Sequence, residues 1–326
     1  MRKALQTGLM AGTLAMGLIA APSFADIKVN DQLTLSGFLD MSAYETGDAA
    51  ATATFDQFEV DFMYKFSDKL SARADISQGG VGGGLNNVRL VTPSDTITGS
   101  SIHLEQAFVT YTEGPLSLMV GKFLSATGYE CAEPTCLYQY SASATVSAYG
   151  GYNTGVGASY TVSPMASLYG AVFSSEWSGD ATIATPGGEA GLTLTPMEGV
   201  TVKGFYLFEN IEQPGPDYLK NGVNVWASYA KGPLLVAGEV NYLMNWDAED
   251  SDGLGFLVMG NYKLTDKIAG TVRYSQLKTD AMADPSNEFT ISPSYSITGN
   301  WWALAEYRRD IEAKVNSYAL ETTLTF

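Results

Sequence analysis

The sequence predicts an all-β fold, a transmembrane antiparallel up-and-down β-barrel of about sixteen strands. Three observations carry this reading. Apolar and polar residues alternate with a period of two in segment after segment. Tight turns alternate with long polar stretches along the chain. The last segment alternates right up to a terminal aromatic, Phe326. Period two sends successive side chains to opposite faces of a strand, so each segment has one apolar and one polar face.

The ends of the chain are informative. Arg2 and Lys3 precede an apolar run from Leu9 to Ala21, followed by Ser23-Phe24-Ala25 with small residues flanking a cleavage point. This is the layout of a secretory signal peptide. We expect residues 1–25 to be removed and 26–326 to form a single barrel domain. At the other end Tyr318, Leu320, Thr322, Leu324 and Phe326 alternate with Ala319, Glu321, Thr323 and Thr325. A closing strand that ends in Phe resembles the sorting signal that outer-membrane barrels offer to the barrel-assembly machinery.

Between the ends the strands follow in order. Phe58, Val60, Phe62, Tyr64 and Phe66 form one face, with Glu59, Asp61 and Lys65 opposite. Leu70, Ala72, Ala74 and Ile76 then oppose Ser71, Arg73 and Asp75. Late in the chain Phe289, Ile291, Pro293, Tyr295 and Ile297 oppose Glu288, Thr290, Ser292, Ser294 and Ser296. Short connections fall near Ser67, Gly114, Pro164, 196–199, Gly232, Asp266 and Gly299. Longer polar ones span about 45–54, 79–100, 124–150, 175–187, 210–221, 244–252, 278–286 and 309–314. Seven turns and eight loops give sixteen strands, or fourteen if the weakly marked edges in 165–195 merge. Short periplasmic turns and longer extracellular loops are the outer-membrane barrel pattern. The near repeat of 64–70 in 262–268 reads as one solution to a turn, with Asp68 and Asp266 supplying local hydrogen bonds.

Composition narrows the function. No stretch after residue 25 approaches the roughly 20 apolar residues of a membrane helix. Charged residues are only 16% of the chain while Tyr (19) and Gly (34) are plentiful, which suits barrel strands better than a helical enzyme. The formal net charge is −17, and loss of residues 1–25, which hold two basic and no acidic side chains, leaves −19. Such a surface repels nucleic acid and favours cations. Cys131 and Cys136 lie close together in a Pro-containing stretch. In an oxidising compartment the simplest reading is a disulfide. Metal binding is weaker, because the chain has a single histidine and two thiols do not complete a zinc site. The acidic run 247–253 lacks the spacing of a calcium loop and reads as a solvated outer loop, placed to touch divalent ions at the lipopolysaccharide surface. Trp246 and Trp301 near strand ends suit interfacial girdles. Trp302 faces the other way by parity.

Seven segments run in order along the chain: Leu35 to Asp40, Phe58 to Arg73, Glu105 to Tyr111, Gly121 to Tyr129, Glu288 to Tyr295, Ala305 to Arg308 and the final strand. Together they resemble the OmpL-like β-barrel porins of Gram-negative outer membranes. The resemblance implies passive transport across the outer membrane without naming a solute. The region 175–187 and the cysteine pair fall outside it.

By parity the lumen receives Asp40, Glu59, Asp61, Arg73, Asp75, Glu239, Arg273, Glu306, Arg308 and Glu321, with Glu105 and Lys122 on less regular strands. Charge rings set ion preference in a wide pore, although such groups also pair with one another to satisfy the interior. The loop at 124–150 follows the fifth strand. By analogy with sixteen-stranded general porins it folds inward, placing Glu130 and Glu133 at a constriction that favours cations; an outward, cell-surface loop is the rival reading. The overall expectation is a porin-type channel for small hydrophilic solutes and ions, set among lipid and lipopolysaccharide, with no cofactor. Homotrimers are common at this strand number, though no segment marks an interface. A plugged structural or adhesive barrel acting through its loops is the alternative. A barrel enzyme is weaker, since His103 beside Ser100 and Ser101 does not define a catalytic geometry.

Overall fold

The computed structural model describes residues 26–79, 102–177, 186–212 and 217–326. The expected signal peptide, the serines at 100 and 101 and most of the loop at 79–100 lie outside the described residues.

Sixteen strands run in sequence: β1 (Leu33–Thr46), β2 (Thr52–Lys65), β3 (Leu70–Gly79), β4 (Ile102–Glu113), β5 (Leu116–Leu124), β6 (Tyr152–Ser163), β7 (Ala166–Phe173) and β8 (Gly187–Leu194), then β9 (Val200–Ile211), β10 (Tyr218–Lys231), β11 (Leu234–Met244), β12 (Gly253–Lys263), β13 (Ile268–Thr279), β14 (Ser286–Ser296), β15 (Trp301–Asp310) and β16 (Val315–Thr325). Each pairs antiparallel with its sequence neighbours, and β16 pairs with β1, so the sheet closes into a barrel. Closure removes the open edges that a membrane cannot tolerate. A two-residue stretch, Ile27–Lys28, adds to β1. The sixteen-strand reading holds, and the fourteen-strand option falls away. The weak edges in 165–195 belong to β7 and β8, two of the shortest strands. Gly170, Gly187, Gly188 and Gly191 interrupt their alternation. The gap at Gly191 is filled from β9, because a Cβ there would sit 2.2 Å from the Phe205 ring.

Parity sorts the two faces. The outer surface carries exposed Val120, Val156, Leu168, Val172, Val258 and Leu320. β-branched and aliphatic residues of this kind favour strands and form the belt a bilayer requires. The inner surface carries the buried polar and charged groups, among them Asp40, Glu59, Asp75, Glu239, Arg273 and Glu321. The C-terminus completes closure: Phe326 and Gly37 exchange backbone hydrogen bonds of 2.8 and 2.9 Å. Its ring stacks on Phe58 with centroids 6.1 Å apart.

Two β-bulges shape the inner wall near β1–β4. One follows Asp40 on β1, and the other lies between Asp75 of β3 and the Glu105–Gln106 pair of β4. A bulge sets two residues of one strand against one of its partner. Gln106 donates to Asp75 at 2.7 Å while Glu105 faces Glu59, so both turn inward.

Candidate lumen site

The segment between β5 and β6, residues 125–151, folds into the barrel rather than outward. Inner-wall carboxylates hold it in place by accepting hydrogen bonds from it. Glu189 of β8 accepts from the Ser125 hydroxyl (2.6 Å) and the Ala126 N–H (3.0 Å). Glu239 of β11 accepts from the Tyr129 N–H (2.5 Å) and the Tyr149 hydroxyl (2.8 Å). Glu306 of β15 accepts from the Ser141 N–H (3.1 Å). Tyr140 reaches across to Ser42 of β1 at 3.0 Å. Carboxylates accepting backbone N–H groups form stronger bonds than neutral pairs, so they also supply the polar partners a buried loop needs.

Arg273 of β13 is central to this docking. Its guanidinium is fully buried, donating to Glu130 (2.6 Å) and to the Ser141 carbonyl (2.6 Å). Apolar contacts fill the rest. Tyr129 packs on Trp226, Leu257 and Met259; Val146 and Tyr149 pack on Leu243, Trp246 and Leu277. The chain can turn here because Gly128 sits at φ +90°, where a Cβ would meet the Tyr149 ring at 2.5 Å.

Glu239, Arg273 and Glu306, expected to face the lumen, therefore lie beneath the loop and hold it. Glu130 likewise presents no open carboxylate, being engaged by Arg273, the Gln139 amide (2.5 Å) and the Ser143 N–H (2.7 Å). This departs from the expectation of a cation-favouring Glu130, because a carboxylate paired with a guanidinium adds little net field. Arg308 is paired with Glu288. Asp40 accepts from Thr323 at 3.0 Å, and Glu321 is buried on β16.

A second group gathers on the opposite wall. Asp61 and Asp75 are register partners on β2 and β3, with Glu59 two residues along the same face. Arg73 bonds both Asp75 oxygens (2.7 and 2.9 Å) and lies 3.5 Å from Asp61 and 4.0 Å from Glu133 of the loop. Lys122 of β5 donates to the Leu104 carbonyl at 3.3 Å. The Arg73 and Glu133 side chains retain 31% and 20% exposure. The carboxylates behind them keep almost none. This strip is where charge meets the interior space. Burial, reinforced by Asp61, Glu105 and Asp75 and opposed by Arg73, pushes the Glu133 carboxyl up to about 8. The expected pair is present as a disulfide, Cys131–Cys136, bracketing Glu133 with Cα atoms 6.1 Å apart.

Sequence reasoning missed the loop's hydroxyl ladder: Ser125, Thr127, Ser141, Ser143 and Thr145. Its signal was the dense Ser/Ala/Thr run at 141–147, unusual for a loop facing water.

Residues 32–323 match the family described as "Putative beta-barrel porin-2, OmpL-like". The chain belongs to this family. Among solved structures it is similar to the outer-membrane channel DcaP of Acinetobacter baumannii (TM-score 0.65, 15% identity, covering 90% of this chain and 97% of that one). It is also similar to an anion-selective porin from Comamonas acidovorans (0.65, 9%, 90% and 99%). A third is the trimer form of OmpT, an outer membrane protein of Vibrio cholerae (0.62, 12%, 90% and 99%). No curated protein matches the chain in sequence. At these identities the likeness establishes the fold, while ion preference is set by residues that the fold leaves free to vary.

Proposed function

We propose that this family member is an outer-membrane porin-type channel for passive diffusion of small hydrophilic solutes and ions, leaning toward cations. One observation carries the reading: the inward loop docks chiefly on the β8–β15 wall, while the Arg73 side chain of β3 and the loop's Glu133 keep partial exposure to the interior. A loop built to seal the barrel would bury both side chains as well. Fixed charges on a lumen wall bias which ions pass, and rings of carboxylate favour cations. The family and fold support a non-enzymatic role. Homotrimer assembly is part of the proposal, supported by strand number and by the trimer form of the Vibrio relative.

Liposome swelling tests it. Protein reconstituted into vesicles is expected to admit small sugars and amino acids, with rates that fall steeply as solute size rises. A barrel that is folded by gel mobility yet gives no swelling would point to a plugged, adhesive protein.

A further inference from the structure

We propose that Glu59, Asp61 and Asp75 form a divalent-cation site on the lumen wall, of the all-oxygen kind that takes calcium. One oxygen from each lies within 4.8 Å of the others. Their residues are 0 to 5% exposed. Hard divalent cations take oxygen ligands of this kind.

Among the described residues the carboxylates of this cluster outnumber the cationic groups paired with them. Arg73 serves Asp75 and approaches Asp61. Among the described residues Glu59 receives the neutral Gln57 amide, at 3.1 Å on Oε2, and no cationic side chain. Its Oε1 has no hydrogen-bond partner among the described residues, and neither has Oε2 of Glu105, the carboxylate that faces it. Two carboxylates set face to face need a proton or a cation between them.

A separate element adds an independent observation. Tyr152, at the start of β6, is buried within the field of Glu105, Glu133, Glu59 and Asp75. Its hydroxyl also lacks a partner among the described residues. Buried polar atoms are nearly always satisfied, and orphans mark an ion or water. A proton shared by Glu59 and Glu105 would satisfy those two oxygens and leave Tyr152 stranded. A cation that brings its own waters accounts for all three.

Three oxygens that all lie within 4.8 Å of one another can share one hard cation, with water completing its shell.

The test is a calorimetric titration of the chelator-stripped, full barrel with calcium chloride. The expected result is one saturable calcium site per chain. Glu59→Gln is expected to weaken calcium at least tenfold, and Asp247→Asn with Asp250→Asn, in an outer loop, to leave it unchanged. No saturable site, or loss in the outer-loop variant instead, would overturn the proposal. Should Glu59→Gln fail to fold, terbium is added to wild-type protein. Tyrosine-sensitised emission, displaced by calcium and reduced in Tyr152→Phe, supports the site; emission indifferent to Tyr152 refutes it. Neither readout needs an open pore, so the result is independent of the channel reading.

Discussion

Arg273 shows how one side chain decides where a whole loop goes. It is fully buried and pairs with Glu130, so removing it leaves a carboxylate uncompensated in the interior. Breaking one side of such a pair costs about 3–5 kcal/mol, whereas replacing both sides by apolar groups can be nearly neutral. Arg273→Met is therefore expected to lower the urea midpoint of the barrel clearly. Arg273→Met with Glu130→Leu should recover most of the loss. Glu133 makes the complementary prediction. Its carboxyl is raised to about 8, so it is largely protonated at neutral pH and becomes negative only above that. Cation selectivity, read as reversal potential in chelator-containing buffer, is expected to rise as pH increases through 8. Glu133→Gln should flatten that rise.

At the scale of elements, the 125–151 loop combines hydroxyl-to-carboxylate docking with a short covalent clip. The Cys131–Cys136 bond encloses few residues, and loop-closure entropy puts its contribution at about 2 kcal/mol. Reduction is thus expected to leave the barrel folded while loosening the segment that carries Glu133. In single-channel records this should appear as added open-state noise on addition of reductant, absent in Cys131→Ser with Cys136→Ser. Strands and turns were legible in the sequence because period-two alternation is local: Phe58 to Phe66 declares its two faces without knowing its neighbours. β7 and β8 were marked by their bounding turns more than by alternation, because glycines broke the pattern and the compensating ring, Phe205, lies on another strand. The charged residues declared their inward parity equally well. The fate of Glu239, Arg273 and Glu306 was invisible, because whether an inward carboxylate meets water or a docked loop depends on contacts as distant in sequence as 165 residues.

At the scale of the molecule, the barrel is turned inside out relative to a soluble domain, with apolar groups outward and charge within. Val258, at mid-strand on β12 and 58% exposed, tests the orientation directly. A lysine at a lipid-facing midplane position costs about 2–4 kcal/mol. Val258→Lys should therefore destabilise the barrel in bilayers by that amount, as read by urea titration in vesicles. The loop and its apolar contacts fill part of the interior, with Tyr129 and Tyr149 as the main wedges. The Arg73 and Glu133 side chains keep partial exposure beside it, and in the proposed channel water and ions pass along them. Single-channel recording of the refolded protein in a planar bilayer under a salt gradient tests this most directly. Steady ohmic openings are expected, with a reversal potential on the cation side that Glu133→Gln shifts toward zero above pH 8. A correctly folded barrel that inserts and stays electrically silent would contradict it.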